Sequence, residues 1–130
     1  SGVPLVVMPL DVTHKVLTTR PRIDAIRAIG SPVAHAVASW TDFFERFDMA
    51  KYGAEGAPLH DPCVIAYLLA PGLFTGRHIN VEIETTSPLT RGMTVADWWG
   101  VTKRPKNAMF MGDVDAAGFY DLLTERLARL

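Results

Sequence analysis

The sequence predicts an α/β fold over residues 1–130, and three observations carry that reading. The chain opens on a short unbroken apolar run, Val3, Leu5, Val6, Val7, Met8 and Leu10, with the continuous hydrophobicity of a strand covered on both faces. Apolar residues then recur at helical spacing between Pro32 and about Met49, and cluster again after Pro62. From His78 to Thr86 they alternate, Ile79, Val81 and Ile83 against Asn80, Glu82 and Glu84, which is the period of a half-exposed strand. At 130 residues and 48% hydrophobic, the chain can bury a core without a disulfide staple.

The remaining elements follow in order. Asp11-Val12-Thr13-His14 leads out of the first strand. Thr19 is placed to cap a short helix with Pro21 in its first turn and Ile23, Ala25 and Ile26 on its apolar side. Gly30-Ser31-Pro32 combines a stop and a start: Gly30 ends one helix, Ser31 caps the next, and Pro32 takes its first position. That helix carries Val33, Val37, Trp40, Phe44 and Phe47 in steps of four, three, four and three, an amphipathic stripe. Residues 52–58 form a small-residue loop able to move or to approach a ligand. The helix opened by His60-Asp61-Pro62 is apolar nearly all round, from Cys63 to Leu69, which predicts burial; Pro71-Gly72 ends it. Thr94–Trp98 and Ala108–Met111 read as strands separated by a turn at 103–107. Asp115 is placed to cap a last helix whose core face is Phe119, Leu122, Leu123, Leu127 and Leu130. Met8, Met93, Met109 and Met111 read as core filler. No internal repeat or linker divides the chain, so it reads as a single unit.

Composition narrows the function classes. Thirteen basic against fourteen acidic residues, a net charge of −1, argue against nucleic acid or a polybasic membrane arm. The single cysteine excludes an internal disulfide and a multi-cysteine zinc site. No apolar run approaches the ~20 residues that span a bilayer. The start, Ser1-Gly2-Val3-Pro4-Leu5, has neither an initiator Met nor a basic signal segment, which suggests a piece of a longer protein; a cytoplasmic location is a separate expectation. No glycine loop of the kind that cradles phosphates is present, which disfavours nucleoside triphosphates and NAD.

His60-Asp61 is the most informative pair. Asp61 can be a helix N-cap ahead of a first-turn proline, with His60 merely adjacent. Alternatively, loop and helix end present an acid–base imidazole and a hard oxygen ligand to one cleft. Cys63, one helical turn beyond His60, could be imagined as a nucleophile, but a lone buried thiol is usually inert. His14, His35 and His78 are scattered and lack metal-ligand spacing.

Three blocks carry a resemblance. They are Pro58-Leu59-His60-Asp61-Pro62-Cys63-Val64-Ile65-Ala66-Tyr67-Leu68-Leu69; Val3-Pro4-Leu5-Val6-Val7-Met8-Pro9-Leu10-Asp11-Val12-Thr13-His14; and Leu89-Thr90-Arg91-Gly92-Met93-Thr94-Val95-Ala96-Asp97, followed by Asn107 and Asp113-Val114-Asp115. Taken along the chain, these blocks follow the family's order over essentially its whole length, and the sequence resembles the inosine-uridine-preferring nucleoside hydrolases. The resemblance implies a Rossmann-like fold with a mixed sheet and flanking helices. It implies calcium-dependent hydrolysis of the N-glycosidic bond of ribonucleosides, in which the metal binds the ribose hydroxyls and activates water. By the same resemblance, Asp61 is a calcium ligand and His60 protonates or hydrogen-bonds the departing base. Tyr52, eight residues before His60, either packs on the substrate or anchors a helix end. A homodimer or homotetramer is implied by analogy alone.

The departures matter as much. The family's amino-terminal Asp-x-Asp-x-Gly-x-Asp-Asp motif and its Asn-x-x-x-Glu-Phe-Asn block are absent. Calcium takes six to eight oxygens, and the remaining acids do not read as such a cluster: Glu82 and Glu84 form a solvated edge, Asp113 and Asp115 a turn and a cap. The chain is therefore expected to be the carboxy-terminal portion of a nucleoside hydrolase, inactive when isolated. The alternative is a non-catalytic α/β binding module that has lost the calcium site; an aspartate cluster upstream in the same gene product would separate the two.

Overall fold

Three strands form the central sheet: β1 (Val6–Val7), the long β7 (Ala108–Val114) and β4 (Phe74–Ile79), in the order β1-β7-β4. β1 runs parallel to β7, with Val6 opposite Met109, whereas β4 is antiparallel to it, with Ile79 opposite Ala108 and Phe74 opposite Val114. The sheet is therefore mixed, as expected. The computed structural model describes the backbone of residues 2–52 and 56–130, and the side chains of 2–44 and 56–130. The helices are α1 (Leu10–Thr13), α2 (Arg20–Ala28), α3 (Pro32–Tyr52), α4 (Pro62–Leu69) and α5 (Ala116–Leu127), with a 3-10 turn at Pro71–Leu73. Among the described residues two short ladders are added: β2 (Leu17–Thr18) with β3 (Ala57–Pro58), and β5 (Val81–Ile83) with β6 (Thr94–Ala96), both antiparallel.

Two apolar clusters hold these elements together. In the first, Val12 and Val16 meet Cys63 and Ala66 of α4, Phe74 and Met111 of the sheet, and Phe119 and Tyr120 of α5. The second joins Ile23 and Ile26 of α2 to Ala34 and Ala38 of α3 and Leu127 of α5. Leu123 packs against both, so α5 links them. Its start is fixed as the sequence predicts: the Asp115 carboxylate accepts the Gly118 N–H at 3.0 Å. Ser31 likewise accepts from the Ala34 N–H at 3.2 Å and starts α3. Thr19 occupies the N-cap of α2, but only its backbone carbonyl serves there, taking the N–H groups of Arg22 and Ile23.

Several expectations are corrected. The opening run yields only two paired residues, and Val3, Leu5 and Val6 are exposed, because β1 is an edge with β7 on one side. Only part of the apolar stripe of α3 is buried: the helix packs through Ala34 and Ala38, small enough for close approach to α2, with Val37 of the stripe beside them, and leaves Val33, Trp40 and Phe44 exposed. Phe47 lies outside the described side chains. Helix α4 is buried only along Cys63 and Ala66, while Val64, Ile65, Leu68 and Leu69 face outward. The alternating segment after His78 is two strands, not one. Asn80 is buried at the break and donates to the Pro105 carbonyl at 2.9 Å, and the Asn107 amide bonds both the N–H and the carbonyl of Val81. A side chain thus stands in for a strand partner where the ladder changes sheets. Met111 is core, but Met93 is exposed, and Leu130 lies beyond the end of α5 with its side chain exposed.

Candidate active site

His60 and Asp61 sit where β3 turns into α4. The turn is held by backbone bonds on both sides: the Leu59 N–H donates to the Val16 carbonyl at 2.9 Å, and the His60 carbonyl accepts the Cys63 N–H at 3.1 Å. The approach of β3 to β2 depends on Gly56, since a Cβ there would collide with the Thr18 carbonyl. This is why the loop before the site ends in a glycine.

The two residues open onto a cleft of about 250 Å³. One wall is Trp40, Thr41 and Phe44 of α3; the other is Thr18 with the segment Ala57–Pro62. His60 is half-buried and Asp61 exposed. Asp61 occupies the N-cap position of α4 in helical conformation, and its side chain makes no capping hydrogen bond. The capping explanation for this aspartate is therefore removed, which leaves its carboxylate available to a ligand. The imidazole is not loose: its Nδ1 lies 2.7 Å from the Thr13 hydroxyl at the end of α1, and the His14 ring is tilted against it with centroids 5.3 Å apart.

Chemically, the cleft joins an imidazole, a carboxylate unengaged among the described residues, and exposed aromatic faces. Such a site can hold a flat heterocycle and exchange a proton with it. A calcium ion is a different matter. Among the described residues no three His, Cys, Asp or Glu side chains come together as a metal site. One carboxylate falls far short of six to eight oxygens, so these residues alone do not fit the ion.

Tyr52 belongs to α3 by its backbone, but its side chain lies outside the described residues. Cys63 is not a nucleophile here. It is fully buried, its thiol donates to the Leu59 carbonyl at 3.1 Å, and burial pushes its pKa up to about 11. The acids set aside in the sequence are engaged elsewhere: Glu82 pairs with Arg104 at 2.7 Å, and Asp113 with Lys15 at 2.8 Å. The hydrogen bond from Lys15, ahead of that from the Val114 N–H, holds the Asp113 carboxyl below its usual range.

Sequence reasoning missed Thr13, His14, Trp40 and Phe44 as parts of this site. The block 11–14 was visible as a unit, but nothing in it told that the chain returns 47 residues later to lay His60 on Thr13. The exposed aromatics of α3 were visible only as part of a stripe that suggested packing.

Among the described residues, an α/β scaffold thus brings an imidazole and an uncapped carboxylate to one cleft at the head of α4. The family described as "Inosine-uridine preferring nucleoside hydrolase" matches residues 1–121, and the chain belongs to that family. It is 46% identical over 130 residues to an uncharacterised protein of Schizosaccharomyces pombe, covering 100% of this chain and 42% of that protein. It is 48% identical over 130 residues to the pyrimidine-specific ribonucleoside hydrolase RihA of Enterobacter sp. strain 638, covering 99% of this chain and 42% of the relative. Among solved structures, a purine-preferring ribonucleoside hydrolase from Gardnerella vaginalis superposes with a TM-score of 0.82 at 27% identity, covering 98% of this chain and 40% of that one. A plant nucleoside hydrolase shares the fold, with a TM-score of 0.83 at 21% identity over 99% of this chain and 42% of its own. The chain thus spans about two fifths of the length of the relatives it matches.

Proposed function

We propose that this chain is the carboxy-terminal part of a nucleoside hydrolase that cleaves the N-glycosidic bond of ribonucleosides to ribose and free base. The observation that supports it best is the cleft itself: His60 and the unengaged Asp61 at the head of α4, facing Trp40 and Phe44 across a space of about 250 Å³. In this reading the base lies against the aromatic wall and His60 delivers a proton to it as the bond to the ribose breaks. A purine or pyrimidine anion is a poor leaving group, and a positioned acid contributes about 10²–10⁴-fold to such a step. Asp61 supplies one oxygen ligand to a calcium ion whose other ligands come from outside residues 1–130. Tyr52 takes part in binding the substrate. The isolated chain, with one calcium ligand, is inactive.

Uridine and cytidine are the first substrates to test, because relatives at 48% identity carry a pyrimidine-specific name. In the full-length protein, His60→Ala is expected to lower kcat by about 10²–10⁴-fold while calcium binding, read by calorimetry, persists. A kcat within threefold of the unsubstituted protein would remove His60 as the acid.

A further inference from the structure

We propose that Thr13 is the positioning residue for His60: its hydroxyl accepts the Nδ1–H of the imidazole and so leaves Nε2 as the nitrogen that serves the cleft. The contact between the two side chains stands by itself; the direction of the hydrogen bond and its significance for catalysis rest on the acid role proposed above.

The observation is a 2.7 Å contact between Thr13 Oγ1 and His60 Nδ1, with Thr13 only 3% exposed. A buried hydroxyl needs a partner, and both members of this pair are fixed by their own elements. Thr13 closes α1: its N–H donates to the Pro9 carbonyl at 3.2 Å, and its neighbour Val12 is anchored in the core. Its β-branched side chain has few rotamers to choose from. His60 is tethered by its backbone to the first turn of α4 and, through Leu59, to Val16. The ring therefore has little freedom to turn Nδ1 toward the cleft, where His60 forms part of the wall.

The direction of the bond is the one that the acid role requires. An imidazole acting as an acid carries N–H on both nitrogens, so whatever faces Nδ1 must accept. A threonine hydroxyl has lone pairs for this. When the Nε2 proton leaves for the base, the remaining proton stays on Nδ1, and the same hydrogen bond persists with no rearrangement. A second-neighbour contact that fixes the tautomer of a working histidine is a recurring device. The tilted His14 ring closes another side of the imidazole and restricts its swing.

The test is a two-bond ¹H–¹⁵N correlation spectrum of the ¹⁵N-histidine-labelled chain, recorded at rising pH until the pattern stops changing, so that only tautomers are read. The unsubstituted chain is expected to show His60 as a single tautomer, protonated at Nδ1 and bare at Nε2. Thr13→Ser keeps the hydroxyl and should preserve that pattern. Thr13→Val should lose it in favour of the Nε2–H form or a mixture. A His60 ring protonated at Nε2 in the unsubstituted chain, or an unchanged pattern in Thr13→Val, would overturn the proposal. Should Thr13→Val fail to fold, the unsubstituted and Thr13→Ser spectra still decide. No nucleoside enters this experiment, so its failure is distinguishable from a failure of the hydrolase reading.

Discussion

Glu84 shows what one exposed carboxylate does in this chain. Its Oε1 accepts from the Thr86 N–H at 2.6 Å, the Thr86 hydroxyl at 2.7 Å and the Ser87 N–H at 3.0 Å, tying down the turn that follows β5. The Thr86 backbone bond, reinforced by its hydroxyl and by Ser87, lowers the carboxyl pKa from 4.5 to about 2. A depressed carboxylate contributes order above its ordinary value and loses it as the pH falls. The Thr86 and Ser87 amides should therefore be protected from hydrogen exchange above about pH 4.5 and lose that extra protection as the pH approaches 2. Glu84→Gln should flatten the dependence; an unchanged profile in that variant would show that another group controls the turn. At the same scale, the His60-Asp61 pair left a capping and a chemical reading open in the sequence, and only the family resemblance favoured the second. Their surroundings were not legible. Contacts made across 47 residues depend on how α1 and β3 converge, and no local pattern records that.

Among the elements, α5 is the one whose start, type and core face the sequence prescribed most completely. Asp115, the Phe119–Leu123 spacing and Leu127 all do what their positions imply; Tyr120 is the addition, its hydroxyl 3.0 Å from that of Thr18 and its ring under Arg22 at 4.3 Å. Because α5 links the two core clusters, loosening its first turn affects both. Asp115→Ala should destabilise the chain by about 1 kcal/mol, within a range of about 0.5–2, by removing the acceptor for the Gly118 N–H. Urea unfolding of the two proteins would measure this, with a lowered midpoint at constant slope as the expected result. Helices α3 and α4 were legible in kind and extent but not in orientation. Apolar periodicity identifies a helix, but it misplaces much of the buried face where small residues make the contact, as Ala34 and Ala38 do in α3, with only Val37 of the stripe packing beside them. In α4, continuous hydrophobicity predicted burial all round, whereas Ile65 is 58% and Leu68 71% exposed.

At the scale of the whole molecule, the α/β class and mixed sheet followed from the strand and helix periods and the family resemblance. The shortness of β1 and the break at Asn80 did not, because both are set by neighbours: a single partner strand in one case, the side-chain amide of Asn107 in the other. Exposed apolar side chains on β1, α3 and α4 accompany a chain that spans about two fifths of its relatives. They fit the proposal that residues 1–130 hold the leaving-group acid and one calcium ligand of a site completed elsewhere. The most direct test is ribose release from uridine by the isolated 130-residue chain, with calcium and then with a chelator, beside the full-length protein. The account predicts release by the full-length protein, abolished by the chelator, and none by the isolated chain above its His60→Ala control. Chelator-sensitive release by the isolated chain, lost on His60→Ala, would contradict it.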